Sequence, residues 1–284
     1  MDGKYRRKTD MSVSSEADIL VGQGCSLPDW CVVSPCLHGG SCKQRYGGAY
    51  CKCEGTGYVG AVCGASLHYR SCIQALQAGQ DEETVLIDLD GSGPLPPAPL
   101  LCQVSPQGEY VTSIQHSNME DTKVDGFQAR GSFHQVIHYD SQEEVIKHLL
   151  LISSKCWQSL TYNCKQSRLF NTPVTDGVFA PYGWWVSWAN ISMSYWPGSV
   201  PGSRQCGCGV VGECFHPAKE CHCDSGHDGW LQDGGDITTK DHLPVRALHF
   251  GDTGTPLDSK EGRFSLGALQ CSGDLNLKKE ESGY

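Results

Sequence analysis

Hydrophobic and polar residues alternate in several short stretches of the chain, and this pattern predicts β-strands. The clearest stretch covers residues 84–89 (TVLIDL) and ends at the turn signal Asp90-Gly91. A proline-rich run, GSGPLPPAP, follows it, and proline does not fit inside a sheet because it lacks the backbone donor. Further strands are predicted at residues 100–104, 110–115, 133–139, 160–164 and 242–250.

One stretch after residue 140 has helical periodicity instead. Ser141 and Glu144 have the spacing of a capping box, in which the two side chains satisfy free backbone N–H groups at a helix start. Apolar or cysteine residues then repeat every three or four positions: Val145, Leu149, Ile152 and Cys156. Strands and a helix without regular βαβ alternation predict an α+β fold.

Cysteine changes this picture most. Six cysteines between Cys31 and Cys63 have the spacing C-x4-C-x5-C-x8-C-x-C-x9-C. A module of ~35 residues buries too little apolar surface to fold without crosslinks, so we expect three disulfides. Spacing alone leaves their pairing open. A zinc knuckle is the rival interpretation, but no paired C-x2-4-C half-site lies in this stretch. Further along, Cys72 and Cys102 flank a predicted hairpin and are expected to pair.

Two glycine-rich motifs accompany these cysteines. His38-Gly39-Gly40 precedes the third, and Gly55-Thr56-Gly57-Tyr58 precedes the sixth. Together with the spacing they resemble an EGF-like domain, which we place at residues 25–66. The resemblance implies the pairs Cys31–Cys42, Cys36–Cys51 and Cys53–Cys63. The run C-x4-S-C also resembles the O-fucose consensus of such domains, which makes Ser41 a candidate glycosylation site.

A second series of motifs follows. It comprises DLDGSGPL (88–95), SRLFNTP (167–173), WWV (184–186), YW (195–196), CGCG (206–209), CHCD (221–224), HLPV (242–245) and GDT (251–253). In this order the motifs resemble the fibrinogen-like region of the contactin-associated proteins, which are neurexin-related adhesion molecules. The resemblance implies a fibrinogen-like α+β domain rich in disulfides at residues 67–273.

The same resemblance implies a function. The chain would be a non-enzymatic piece of the ectodomain of a single-pass cell-surface membrane protein, acting as a binding or spacer module between cells. Its partners would be cell-surface proteins of the contactin type. The competing hypothesis is a secreted, carbohydrate-recognising fibrinogen-like lectin module that binds glycans.

Charge and cysteine content agree with an extracellular chain. The formal net charge is −10, which argues against a nucleic-acid partner, because phosphate backbones attract clustered Lys and Arg. Seventeen cysteines indicate an oxidising compartment. No stretch approaches the ~18 apolar residues of a membrane span. We expect residues 1–24 to be a flexible lead-in, residues 274–284 a disordered tail, and Cys25 to pair outside this piece of a longer protein.

Several side chains are candidate sites. Trp184, Trp185, Trp188, Tyr195 and Trp196 form a dense aromatic group, which is typical of a core but is also a candidate binding surface. Asn190 begins the sequon Asn190-Ile191-Ser192 and is a candidate glycosylation site.

Metal binding and catalysis find weaker support. A loose acidic group is either a calcium site or a solvated loop: Asp224, Asp228, Asp233 and Asp236. A cysteine-rich cluster has the residue types of a zinc site, but disulfides are expected there: Cys206, Cys208, Cys214, Cys221 and Cys223, with His216 and His222. No H-E-x-x-H or G-x-S-x-G motif occurs, so neither an enzyme nor a cofactor is expected.

Overall fold

The computed structural model describes residues 29–91, 93–172, 178–254 and 259–274. It divides the chain into two units, Met1–Leu67 and His68–Tyr284. The predicted lead-in, Cys25 and the tail from residue 275 onward lie outside the described residues.

The first unit consists of two small antiparallel hairpins held by disulfides. Strands β1 (Ser41–Arg45) and β2 (Gly48–Lys52) pair with each other, as do β3 (Tyr58–Val59) and β4 (Ala65–Ser66). The sulfur atoms of Cys31–Cys42, Cys36–Cys51 and Cys53–Cys63 are 1.97, 2.02 and 2.00 Å apart. Among the described residues of this unit, few side chains are buried, so covalent bonds replace a core.

The second unit is built on a strand of 13 residues, β10 (Ser153–Lys165). Its N-terminal half pairs with β15 (Leu269–Asp274), and its C-terminal half lies between β12 (Leu231–Ile237) and β14 (Glu261–Leu266). The sheet extends to eight strands through β5 (Thr84–Ile87), β6 (Ala98–Val104), β7 (Tyr110–Ile114) and β8 (Thr122–Val124).

A separate sheet of three strands lies in the same unit. It consists of β9 (Phe133–Val136), β13 (Ala247–Phe250) and β11 (Trp184–Val186), with β13 in the middle. The helices are short: α1 (Cys72–Gln77), α2 (Glu143–Ile152) and α3 (Gly207–Val211).

The predicted α+β class and the fibrinogen-like assignment of residues 67–273 are wrong. Strands make up 34% of the structure and helices 11%, and the main sheet curls into a half-barrel that differs from a fibrinogen-like domain. The helical prediction extended too far because Cys156 was counted on the apolar face of α2. Instead α2 ends at Ile152, and Cys156 lies on β10 opposite Cys271.

The start of α2 also differs from the prediction. The N-cap residue is Gln142, and no side chain closes the cap. The hydroxyl of Ser141 is buried without a hydrogen-bond partner among the described atoms, so the capping box does not form. Two acidic residues in the first turn, Glu143 and Glu144, instead favour the helix by interacting with its N-terminal dipole.

Aromatic rings from both sheets form the centre of the core. Tyr162 of β10 stacks on Phe250 of β13 with ring centroids 4.5 Å apart. Phe264 of β14 lies 5.4 Å from Phe250, and Trp196 lies 6.0 Å from it. All four side chains are fully buried. Phe250 therefore joins the three-stranded sheet to the eight-stranded one.

Five further disulfides close the second unit. They join Cys72–Cys102, Cys156–Cys271, Cys164–Cys223, Cys206–Cys221 and Cys208–Cys214. Two of them hold β10, one to the neighbouring strand β15 and one to the 3-10 turn Cys223–Ser225. The long connections between strands are thereby tied to the sheet.

Replacing Phe250 tests the joint between the two sheets. We expect Phe250→Ala to lower the free energy of unfolding by ~3–5 kcal/mol, because it opens a cavity among rings that cannot collapse. Val136→Ala, on the exposed face of β9, is the control and should change stability by less than ~0.5 kcal/mol. Urea unfolding followed by fluorescence measures both, and equal midpoints would contradict this account of the core.

Candidate functional site

The aromatic group at residues 184–196 comes together in the structure, but most of it is buried. Trp185, Tyr195 and Trp196 are 0%, 3% and 0% exposed. Only Trp184 and Trp188 are half-buried and reach the surface. A binding surface in this segment is therefore formed by these two residues and their neighbours, while the other three contribute to the core.

Hydrogen bonds satisfy the polar atoms of the three buried aromatic residues. The indole N–H of Trp185 donates to the carbonyl oxygen of Tyr195 at 2.8 Å, and that of Trp196 donates to the carbonyl oxygen of Asp233 at 3.0 Å. The hydroxyl of Tyr195 lies 2.9 Å from Nδ1 of His242. Each polar tip has a partner, which buried aromatic residues with polar groups require.

The two surface tryptophans lie in different environments. Trp184 stacks on His249, with ring centroids 4.7 Å apart and planes 14° from parallel. Trp188 makes an edge contact with Tyr139 at 6.2 Å, and the guanidinium of Arg246 lies 6.0 Å from its ring centroid. Both rings are held by their neighbours and are partly exposed.

The candidate glycosylation sites are both exposed. Asn190 lies in a turn after Trp188 and has a left-handed backbone with φ of 62°, which asparagine tolerates better than most residues. Its backbone N–H donates to the carbonyl oxygen of Ser187 at 2.9 Å, so the backbone and not the side chain makes this turn contact. Ser41 begins β1 and is also exposed.

Asp224 is the most heavily bonded carboxylate among the described residues. Its Oδ1 accepts the backbone N–H groups of Leu169, Phe170 and Asn171 at 2.9, 3.0 and 3.0 Å. Its Oδ2 accepts both the backbone N–H and the hydroxyl of Thr172 at 2.7 Å each. The side chain is 3% exposed. Asp224 thus fixes the segment 169–172 as a cap fixes a helix end.

Asp233 performs a similar task for the cysteine-rich segment. Its carboxylate accepts the backbone N–H groups of His222 and Cys223 at 3.0 and 2.8 Å. Burial is the main cause that raises the pKa of Asp233 to about 7, although these two hydrogen bonds lower it. The side chain therefore changes its charge near neutral pH.

The predicted acidic group is not a single cluster. Asp224 and Asp233 are buried and bind different backbone segments, whereas Asp228 and Asp236 are exposed. Asp228 accepts a hydrogen bond from Gln166. Calcium needs several oxygen atoms directed at one point, and the buried pair instead directs its oxygens at backbone donors.

The cysteine-rich cluster is closed by disulfides. The S–S distances of Cys206–Cys221 and Cys208–Cys214 are 2.06 Å each. Candidate ligand atoms of Cys206 and Cys221, and separately of Cys208 and His222, nevertheless lie within 4.8 Å of a carboxylate oxygen of Asp233. Zinc binds thiolates, and a disulfide supplies none. Nδ1 of His222 accepts the backbone N–H of Phe215 at 3.0 Å, so the neutral ring carries its proton on Nε2. This arrangement suits a structural crosslink better than a zinc site.

An ion-pair network joins two of the sequence motifs. Asp252 of the GDT motif is 3% exposed and pairs with Nε of Arg168 and Nζ of Lys260 at 2.7 Å each. Burial alone would raise the pKa of Asp252, but the hydrogen bonds from Arg168 and Lys260 outweigh it and lower the pKa below the usual value. No local sequence pattern predicts this pairing, because the two motifs are far apart along the chain.

No helix within the described residues combines the length and apolar character that a membrane crossing needs.

Replacing Asp224 tests its role as a backbone anchor. In Asp224→Asn an amide N–H group would face backbone donors, so we expect the free energy of unfolding to fall by ~3 kcal/mol or more. Asp236→Asn makes the same chemical change at an exposed carboxylate and should alter stability by less than ~0.5 kcal/mol. Urea unfolding at neutral pH compares the two, and similar midpoints would show that Asp224 does not anchor segment 169–172.

Asp233 generates a prediction about pH. The folded protein holds this proton up to about pH 7, whereas the unfolded chain releases it near pH 4, so this group destabilises the fold as pH rises through that window. Asp233→Asn removes the titration. The stability difference between the variant and the unsubstituted protein should therefore shift in favour of the variant as pH rises from 4 to 7, by up to ~4 kcal/mol. Parallel curves of unfolding free energy against pH would contradict this assignment.

No protein-family model matches the chain. The chain is 46% identical over 279 residues to Neurexin-4 of Drosophila melanogaster. The similarity covers 96% of this chain but only 22% of Neurexin-4, so the chain spans about a fifth of that relative's length. Nearly the whole of this chain is therefore similar in sequence to one part of that relative.

Proposed function

We propose that the chain is a non-enzymatic extracellular segment of a neurexin-related cell-surface protein that acts in cell adhesion, as a binding or spacer module between cells. The observation that carries this proposal is the set of eight disulfides among the described residues of a chain that is 46% identical to Neurexin-4 over 279 residues. Such a set persists only in an oxidising compartment, so this segment faces the outside of the cell.

The use of the buried charged groups supports a role without catalysis. Asp224 and Asp233 bind backbone N–H groups, and Asp252 is neutralised by Arg168 and Lys260. A general acid or base needs a carboxyl group directed at a substrate cleft. These three carboxylates are instead directed at the protein itself, where they hold loops in place.

For the binding partner we propose a cell-surface protein of the contactin type, in line with the sequence resemblance. Trp184 and Trp188 are the members of the aromatic group that a partner reaches, and tryptophans commonly dominate binding energy at interfaces. Glycans on Asn190 and Ser41 remain part of the proposal, since both side chains are exposed. The first unit is proposed to be an EGF-like module that extends the chain.

The lectin hypothesis loses its structural basis. It depended on a fibrinogen-like domain, and the curled, mostly β sheet differs from that fold. The burial of Trp185 and Trp196 also removes two rings on which a sugar would stack.

A binding experiment on cells tests the proposal. The full chain is secreted as a dimeric antibody-Fc fusion, and its binding to cells that display a contactin-type protein is measured by flow cytometry. We expect saturable binding that Trp188→Ala weakens about tenfold or more, because it removes an aromatic contact. Trp230→Ala, at another exposed tryptophan, is the matched control and should leave the affinity unchanged.

Three outcomes would count against the proposal. Equal binding to cells with and without the contactin-type protein would reject that partner class. Binding that disappears after the cells are treated with glycosidases would favour glycan recognition. Retention of the chain in the cell with reduced thiols would contradict an extracellular segment.

A further inference from the structure

Two histidines lie side by side on the outer face of the three-stranded sheet. His134 of β9 and His249 of β13 are directly opposite each other in antiparallel register, and Trp184 of β11 is opposite His249 on the other side. The two imidazole centroids are 4.3 Å apart with planes 14° from parallel. The next residues along the strands, Leu248 and Trp185, are fully buried, so the histidines occupy the face away from the core.

The structure defines which nitrogen of His249 is available. Its Nδ1 lies 3.3 Å from the carbonyl oxygen of Gly131. A carbonyl can only accept, so Nδ1 carries the proton and Nε2 carries the free lone pair. Histidines that bind metal ions commonly donate their other N–H to a backbone carbonyl in this way, which fixes the ring and its tautomer.

Packing fixes the ring further. Trp184 covers the face of His249 opposite His134. Trp184 reaches this position because residue 131 is a glycine: a Cβ there would lie 2.1 Å from its ring. Burial, together with the neighbouring His134, lowers the pKa of His249 below its usual value. A neutral, oriented imidazole is the form that binds metal ions.

We propose that His134 and His249 form an open binding site for a divalent first-row transition metal ion, zinc or copper. Bonds from such ions to histidine nitrogen are ~2.0–2.1 Å long, which puts two ligating nitrogens at most ~4 Å apart. The stacked rings are close enough for this, but their planes are nearly parallel, so the ring of His134 must turn out of the stack before both lone pairs point at one ion. His134 is exposed and has room for that movement.

The site differs from the cysteine-rich cluster in chemistry and in place. It uses two imidazoles and no sulfur, and it lies on the three-stranded sheet. Two protein ligands leave further coordination positions to water or to a donor from another molecule. It also stands independently of the adhesion proposal, because it rests only on the arrangement of these rings.

Copper is the most informative probe, since it binds imidazole sites more tightly than zinc does. The full, disulfide-bonded chain is titrated with Cu²⁺ and studied by electron paramagnetic resonance, and zinc binding is measured by calorimetry. We expect one saturable site whose spectrum shows two coordinating nitrogens. His134→Gln and His249→Gln should each weaken the affinity about tenfold or more, because each removes a ligand.

His138→Gln is the matched control, because His138 is another exposed histidine four residues from His134. It should leave both the affinity and the spectrum unchanged. Because His249 is packed between two rings, thermal melts check that its variant is folded, and the exposed His134 gives an independent result. Absence of saturation, a spectrum with a single nitrogen, or affinity that survives His134→Gln would each overturn the proposal and leave the rings a packing role only.

Discussion

The strand β10 is the element on which the second unit depends. Its 13 residues pair with three other strands, and its alternating side chains supply one buried ring, Tyr162, and two buried cysteines, Cys156 and Cys164. The disulfides Cys156–Cys271 and Cys164–Cys223 hold it near its two ends. A long strand in the middle of a sheet has no free edge, and here its partners come from the distant C-terminal part of the chain. The sheet therefore forms only once residues more than a hundred positions apart have met.

Around this strand, buried carboxylates accept the backbone hydrogen bonds that helices and strands satisfy elsewhere. Asp224 and Asp233 together accept six backbone N–H groups from segments that belong to no strand. Loops with unsatisfied backbone groups are costly to bury, and a carboxylate with several donors satisfies them at one point. Asp252 is the third buried carboxylate, and of the three it alone pairs with two cationic side chains. The loop-rich region thus keeps a fixed shape through polar anchors and disulfides.

Some of this architecture could be predicted from the sequence, and the reasons for success and failure are physical. The strand β5 followed from local alternation, because it has one buried and one exposed face. Cys156 was assigned to a helix because a spacing of four residues from Ile152 fits both a helical turn and two strand repeats. The overall curl of the sheet depends on contacts between distant residues, and local periodicity does not contain that information.

The candidate sites also include some features that the local sequence predicts and others that depend on distant contacts. Exposure of Asn190 followed from its sequon, since a glycan acceptor lies at the surface. The anchoring roles of Asp224 and Asp233 could not be predicted, because their partners are backbone groups, which leave no trace in residue types. The pair of His134 and His249 depends on strand register, and a shift by one residue would place the rings on opposite faces.

The disulfides at the two ends of the second unit have a mechanical consequence. A pulling force applied at Cys72 and Cys271 passes through Cys72–Cys102 and Cys156–Cys271 before it reaches any other part of the polypeptide. Only the roughly 54 residues from Cys102 to Cys156 are then free to extend, instead of the roughly 200 between the two ends. At ~3.5 Å per residue, this limits the lengthening of the unit under tension to about 190 Å rather than about 700 Å. A tether between two moving membranes built in this way would yield by a short, bounded distance while its remaining loops stay unloaded.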